Sequence, residues 1–256
     1  MTRALTTSAR PSLAARRPSS WITAGLGGLF AVMWLGGIVS YLFKGGVPPG
    51  SEWAAPSFLA LAAVLLLASA AARTRPALIA AGVLGFIVEW IGHTGGWLFG
   101  RYVYTEILAP SLLGVPVVMV SAWMVLAAYV HSRLAGRRLP WVAATAIGAG
   151  LLTAVDVVID PLAAGPLGYW RWLDGGPLYG VPLSNFAGWF VSGALILAVM
   201  RAMLRDDEEI RGAGAVGGSI VLFFTVLAAG HGLVLPALAG CAVLAVHLAL
   251  AGWRVR

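Results

Sequence analysis

The stretch WITAGLGGLFAVMWLGGIVSYLF, from Trp21 to Phe43, contains no charged residue and exceeds the ~20 residues that a helix needs to cross a membrane. Further apolar stretches follow at 53–72, 77–98, 115–134, 141–159, 183–204, 214–231 and 233–252. The sequence therefore predicts an all-α, polytopic transmembrane bundle of about eight helices. Only His231, Gly232 and Pro236 divide the last two stretches, so seven helices is the alternative count.

The composition also indicates a membrane protein. Of the 256 residues, 60% are hydrophobic and 11% are charged, which leaves too little polar surface to cover a water-soluble domain. The net charge is +7, but Lys and Arg stand between the apolar stretches and form no basic face, which argues against a nucleic-acid partner. The single cysteine, Cys241, excludes an intramolecular disulfide.

The positions of Lys and Arg predict the orientation of the bundle, because positive residues are retained on the cytoplasmic side. Placing the N-terminus inside leaves only Lys44, Arg101 and Arg171 on the outer side. We expect a multi-pass protein of the inner or plasma membrane with both termini in the cytoplasm. Residues 1–20 are expected to form a disordered basic tail rather than a cleaved signal peptide, and residues 21–256 a single transmembrane domain.

The middle of the chain contains two similar segments, approximately 77–134 and 141–204. The first contains GRYVY and then GVP, and the second contains GYWRW and then GVP. A tryptophan follows the proline at the same spacing in both, at Trp123 and Trp189. Both predicted hairpins start and end inside, so we interpret them as a parallel internal repeat, and such repeats often place a site at their interface.

Acidic side chains inside two predicted helices indicate chemistry. Glu89 and His93 stand four residues apart on the third helix, and Asp156 and Asp160 four apart on the fifth, so each pair shares one helix face. At about 1.5 Å per residue, Glu89 and Asp156 both lie in the outer half of the membrane and can face each other. Neighbouring buried carboxyl groups cannot all ionise, so one is expected to keep its proton beside an ionised partner, as a proton donor would.

Two other roles for these carboxylates remain open. They can pair with Arg101, Arg171 or His93 and so hold helices together, since an unpaired charge in the membrane costs on the order of 3 kcal/mol or more. They can also bind a metal, but a cluster with one histidine and no dense ligand motif favours a site without a metal ion.

Aromatic and polar side chains crowd the same region. Many of the aromatic residues are expected to form a belt at the membrane interface, and a few to line a pocket whose ring faces stabilise a carbocation by about 1–2 kcal/mol. The candidates are Trp90, Trp97, Tyr102, Tyr104, Trp170, Trp172, Tyr179 and Trp189. His93, Thr94 and Asn185 are candidates for orienting water or substrate, although Asn185 can instead cap the sixth helix.

Four segments together resemble one known family. They are EWIGHTGGWLFGRYVYT from Glu89, LLGVP from Leu112, DVVIDP from Asp156, and GYWRW with YGVPLSNFAGW, ending at Trp189. These segments resemble the membrane carotenoid hydratases, the family of bisanhydrobacterioruberin hydratase and gamma-carotene hydratase, over roughly residues 80–200. The resemblance implies a lyase of carotenoid biosynthesis that adds water across the terminal double bond of an acyclic carotenoid end group, giving a tertiary alcohol.

That chemistry requires a desolvated acid and one guided water, because protonation of the alkene gives a tertiary cation. We expect Glu89 or Asp156 to donate the proton, and Asp160 with the other carboxylate to stabilise the cation and activate the water. No cofactor is expected. The expected partners are a membrane-dissolved acyclic carotenoid, water and lipid, with a homo-oligomer or other carotenoid enzymes as further options. The alternatives are a carotenoid end-group cyclase and a lipid or small-molecule transporter.

Overall fold

The computed structural model describes residues 20–205 and 208–252. All of the predicted basic tail except its last residue lies outside the described residues. The described chain contains eight α-helices: α1 (Ser20–Phe43), α2 (Ala54–Ser69), α3 (Arg75–Gly95), α4 (Met119–Leu134), α5 (Trp141–Ala164), α6 (Leu183–Met203), α7 (Ala213–Gly230) and α8 (Val234–Gly252). The prediction of an all-α bundle with eight helices is confirmed.

Prolines fix where several helices begin. Pro140 and Pro182 directly precede α5 and α6, and Pro76 stands in the first turn of α3. Proline lacks a backbone N–H and has a φ close to the helical value, so it is favoured at this end of a helix. The apolar stretches after these residues then continue as helices.

Six of the helices, all except α2 and α4, are long and apolar enough to cross a membrane, which makes the chain a multi-pass membrane protein. Helices α2 and α4 have 16 residues each and span about 24 Å, less than the ~30 Å hydrocarbon core. The predicted stretch 115–134 starts too early because Val115 and Pro116 pair as a strand. The predicted stretch 53–72 ends too late because α2 stops at Ser69.

Four short strands lie at one end of the bundle, which we call the loop end: β1 (Tyr102–Tyr104), β2 (Ser111–Leu112), β3 (Val115–Pro116) and β4 (Trp170–Trp172). Strands β2 and β3 form a hairpin. Strand β1 pairs antiparallel with β4, so the GRYVY and GYWRW motifs bond to each other. This pairing joins the α3–α4 connection to the α5–α6 connection at the loop end of the central helices.

The two GVP motifs begin in turns of the same shape. Leu113 and Gly114 have φ of 53° and 82°, and Tyr179 and Gly180 have φ of 51° and 87°. Two successive positive φ values are typical of the tight turn of a β-hairpin, and glycine adopts the second without strain. This correspondence agrees with the predicted parallel repeat, which stays a prediction.

The helices divide into a packed centre and an exposed periphery. Of an 18-residue apolar stretch in each helix, 61% is buried inside the protein in α7, 6% in α1 and 17% in α8. The side chains of α1 and α8 therefore face the lipid over most of their length. The central helices α3 to α6 pack on one another, α3 with α4 and α6, and α5 with α6, and they carry the candidate site.

Candidate active site

Glu89 is a buried carboxylate on α3 that accepts three hydrogen bonds. Its Oε2 accepts from Tyr102 Oη at 2.7 Å and from Tyr104 Oη at 2.9 Å, and its Oε1 accepts from Trp123 Nε1 at 3.1 Å. Burial, followed by the nearby Glu89 carboxylate, raises the pKa of both tyrosines well above the ordinary value, so both hydroxyls keep their protons. All three donors are neutral, and together they stabilise a negative charge on Glu89.

Asp156, Asp160 and Asn185 form a second buried group, between α5 and α6. The Asn185 Nδ2 group donates to Asp156 Oδ2 and to Asp160 Oδ2, both at 2.6 Å. The alternative that Asn185 caps α6 is wrong, because no side-chain hydrogen bond caps that helix and the amide faces the aspartates instead. One amide therefore bridges two carboxyl groups that stand one helical turn apart.

The second oxygen of Asp160 also accepts two hydrogen bonds. Trp170 Nε1 donates to Asp160 Oδ1 at 2.8 Å, and Trp172 Nε1 donates to the same atom at 3.0 Å. Asp160 thus accepts from three N–H groups, whereas the hydrogen bond described for Asp156 comes from Asn185 alone. The two aspartates differ in how well their surroundings stabilise a negative charge.

Strands β1 and β4 supply two of the three donors to each of Glu89 and Asp160. Tyr102 lies opposite Trp172, and Tyr104 lies opposite Trp170. Residues two apart on a strand point to the same face, so the two tyrosines and the two tryptophans all face the helices. The paired strands therefore hold Glu89 of α3 and Asp160 of α5 on either side of one small space.

That space is a small cavity of about 30 Å³, which gives room for at least one water molecule. Glu89, Asp160 and Asn185 contribute its polar wall. The rest of the wall consists of Phe99, Tyr102, Tyr104, Met119, Trp170, Trp172 and Trp189. Asp156 is not among the lining residues and lies behind Asn185. The arrangement places two carboxylates around a water-sized space enclosed by aromatic rings.

Most of the predicted site residues come together here, but four do not. Trp90, Trp97 and Tyr179 are 40%, 70% and 44% exposed, and Thr94 is also exposed. Successive side chains on a helix are about 100° apart, so Trp90 faces outward when its neighbour Glu89 faces the core. These four residues lie outside the cavity, on surfaces where an interfacial aromatic belt would be found.

His93 lies beside the two tyrosines rather than between the carboxylates. Its ring centroid is 5.6 Å from that of Tyr102 and 5.9 Å from that of Tyr104. Within the described chain, its Nδ1 is buried and has no hydrogen-bond partner. His93 therefore packs against the donors of Glu89, and an orienting role for it stays a prediction.

Three lining or bonding residues were not predicted as site residues: Trp123, Phe99 and Met119. Trp123 is fully buried and stacks on Trp189 with ring centroids 4.3 Å apart. The equal spacing of these two tryptophans after the two GVP motifs was a usable signal. Phe99 and Met119 carry no comparable pattern.

Arg101 does not pair with the buried carboxylates to hold the helices together. Its guanidinium bonds Asp174 on the surface of the loop end, with Nε 3.0 Å from Oδ1. This pairing lowers the pKa of Asp174. Across residues 20–205 and 208–252, no group of three or more His, Cys, Asp or Glu side chains is arranged to hold a metal ion, so the geometry adds no support to the metal alternative.

Comparisons with known proteins point to one family. A family model described as "Carotenoid biosynthesis protein" matches residues 55–247. Bisanhydrobacterioruberin hydratase from Haloarcula japonica is 28% identical over 175 residues, which make up 60% of this chain and 58% of that protein. The match thus spans less than two thirds of the length of this relative. No solved structure matches the chain.

Proposed function

Because the chain belongs to the family of carotenoid biosynthesis proteins, we propose that it hydrates the terminal double bond of an acyclic carotenoid end group. The observation that carries this proposal is the water-sized cavity between Glu89 and Asp160. A hydration needs an acid, a carboxylate and one water within reach of the same carbon atoms. The name of the Haloarcula relative supports the same reaction class.

The proton comes from the aspartate pair. Asp156 and Asp160 share the Asn185 amide, and their described hydrogen-bond partners are all neutral N–H groups. Two adjacent buried carboxyl groups without a cation hold a single negative charge, so one of them keeps a proton. Asp160 has three donors and carries the charge, and the proton resides on Asp156. Asp160 lines the cavity, so the proton passes from Asp156 to Asp160 and then to the alkene.

Glu89 acts on the water. Protonation at the less substituted alkene carbon leaves a tertiary cation, and the ionised Glu89 faces it across the cavity. Water adds to the cation, its oxygen forms the new C–O bond, and Glu89 takes the proton that the water loses. Return of this proton to the aspartate pair completes the cycle, so the net change is the addition of one water.

The aromatic wall protects the cation until the water adds. The rings of Trp170, Trp172 and Trp189 line the cavity, and a cation against a tryptophan face gains about 1–2 kcal/mol in a desolvated site. A cyclase would start with the same protonation but has no use for water beside the acid. The water-sized space between two carboxylates therefore favours a hydratase over a cyclase.

Co-expression in a host that makes lycopene tests the proposal. We expect a product whose mass exceeds that of lycopene by one water for each hydrated end, and no such product from the Asp156→Asn variant. A pigment of unchanged mass with a ring would establish a cyclase instead. A pigment that is relocated but chemically unchanged would establish a transporter.

A further inference from the structure

A second, larger cavity of about 280 Å³ lies at the loop end between α1, α2 and α7. Phe58, Phe223 and Phe224 form much of its apolar wall, and Gly36 leaves room on the α1 side. Gly36 on α1 and the lining residues Pro48 and Trp53 of the α1–α2 connection are exposed, so the cavity opens at the side of the bundle near the loop end. A ligand dissolved in the bilayer can enter it without crossing water.

Two polar side chains of this cavity are paired with each other. The hydroxyl oxygens of Tyr41 and Tyr169 are 3.2 Å apart and share a hydrogen bond. A buried hydroxyl without a partner would favour a polar ligand, whereas a paired one does not. The cavity therefore offers a mainly apolar surface that suits a hydrocarbon.

Only one step along the backbone separates this cavity from the carboxylate site. Tyr169 lines the larger cavity, and the next residue, Trp170, lines the small one and donates to Asp160. The backbone of Tyr169 is fixed on both sides, since its N–H donates to the Ala163 carbonyl at 2.7 Å and its carbonyl accepts from the Thr105 N–H at 3.0 Å. Two consecutive residues thus belong to the walls of the two cavities.

The α1 side of the cavity comes from residues that precede the family match. That match begins at residue 55, whereas Met33, Gly36, Ser40 and Tyr41 lie on α1. The carboxylates lie inside the match. The carboxylate site therefore lies within the matched range, whereas one wall of the larger cavity is contributed by a helix outside it.

We propose that this cavity binds an isoprenoid hydrocarbon segment of the acyclic substrate, next to the end that is hydrated, and that α1 helps to select the substrate. The inference rests on the proposed function for the identity of the ligand. The small cavity, at about 30 Å³, has no room for a hydrocarbon chain, so the large cavity of about 280 Å³ supplies the space that the carboxylate site lacks. Movement of the Tyr169 and Trp170 side chains would connect the large cavity with the small one.

Filling the cavity from α1 tests the proposal. Gly36 lines the cavity and a Cβ atom there would meet nothing within 4 Å, so Gly36→Phe adds a ring at the cavity with no clash at its Cβ. Ser40→Phe, one helical turn further on, fills the same side. Gly28→Phe is the matched control, because Gly28 lies on the same helix, also has nothing within 4 Å and does not line this cavity.

The readout is lycopene retained per protein after purification in phospholipid nanodiscs, measured in a Glu89→Gln background to limit turnover. We expect retention to fall about tenfold in both cavity variants, as the loss of roughly two buried methylene groups would cause, and to stay unchanged in Gly28→Phe. Equal retention in all variants, an equal loss in the control, or a cavity that holds phospholipid in place of lycopene would overturn the proposal.

Hydration by the chain without the Glu89→Gln change is measured separately. Retention that responds to Gly36→Phe with no hydration of lycopene would sustain the binding site and refute the proposed reaction. Hydration of lycopene, together with retention that Gly36→Phe leaves unchanged, would sustain the proposed reaction and refute the binding site.

Discussion

The hydrogen-bond donors around each carboxylate decide which one holds the proton in the buried site. Glu89 and Asp160 each accept three hydrogen bonds from neutral donors, whereas Asp156 is bonded only to the Asn185 amide in the described structure. A proton is most easily held where the fewest donors stabilise the charge. The sequence predicted that Glu89 and Asp156 can face each other but could not rank them, because their hydrogen-bond donors come from other elements of the chain.

We expect Asp156→Asn to lower activity by about 100-fold or more, because the change keeps the shape of the side chain and removes the proton to be donated. Hydrated pigment formed per unit of membrane-inserted protein is the measurement. Asp174→Asn is the matched control, because Asp174 is exposed and pairs with Arg101 on the surface, so its activity should be unchanged. Full activity in Asp156→Asn would refute the acid assignment.

Glu89→Gln is expected to reduce activity to a similar degree and also to lower stability. A glutamine amide would turn an N–H₂ group toward donors from Tyr102, Tyr104 or Trp123, and a buried donor without an acceptor costs about 1–3 kcal/mol. Thermal unfolding in detergent and the hydration assay measure the two effects. The exposed Glu106 offers the same change as a control. Unchanged melting and activity in Glu89→Gln would contradict this role.

At the scale of secondary-structure elements, the helices could be predicted from the sequence and the strands could not. Each helix follows from an apolar stretch with a charged or proline-containing boundary, which is a local property of the sequence. Strands β1 and β4 have three residues each and are defined by pairing between two separate loops. Their motifs were recognised as similar, but nothing in either one indicated that it would bond to the other and aim four donors at the carboxylates.

Close packing between α3 and α4 gives a prediction at this scale. A Cβ atom at Gly85 would lie 2.1 Å from Trp123 Cγ, so Gly85→Ala must push Trp123 away from Glu89 and from its stack on Trp189. We expect lower activity and a loss of about 1–3 kcal/mol in stability, measured by thermal unfolding. Gly150→Ala on α5 meets nothing within 4 Å and should be neutral or stabilising by about 0.5–1 kcal/mol. Similar melting for the two variants would show that this contact is not tight.

At the scale of the whole molecule, the loop end and the opposite end are expected to face different sides of the membrane. The predicted orientation, with both termini in the cytoplasm, puts Arg171 outside and Arg211 inside. It can be tested by replacing the native Cys241 with alanine and introducing one cysteine at either position. An impermeant thiol reagent should label Arg171→Cys in intact cells and Arg211→Cys only after lysis. The opposite labelling pattern would show that the bundle has the inverse orientation, with both termini outside.

The hydration of a carotenoid end by buried carboxylates is the central claim, and the source of the atoms added to the product tests it most directly. The aspartate pair exchanges its proton with solvent, so in heavy water it delivers a deuteron to the carbon beside the new carbinol, and the attacking water supplies the oxygen. Product made in deuterated water enriched in heavy oxygen should carry one carbon-bound deuteron and one heavy oxygen for each hydrated end. A product with a ring and no added oxygen, or with oxygen drawn from dioxygen, would contradict the account.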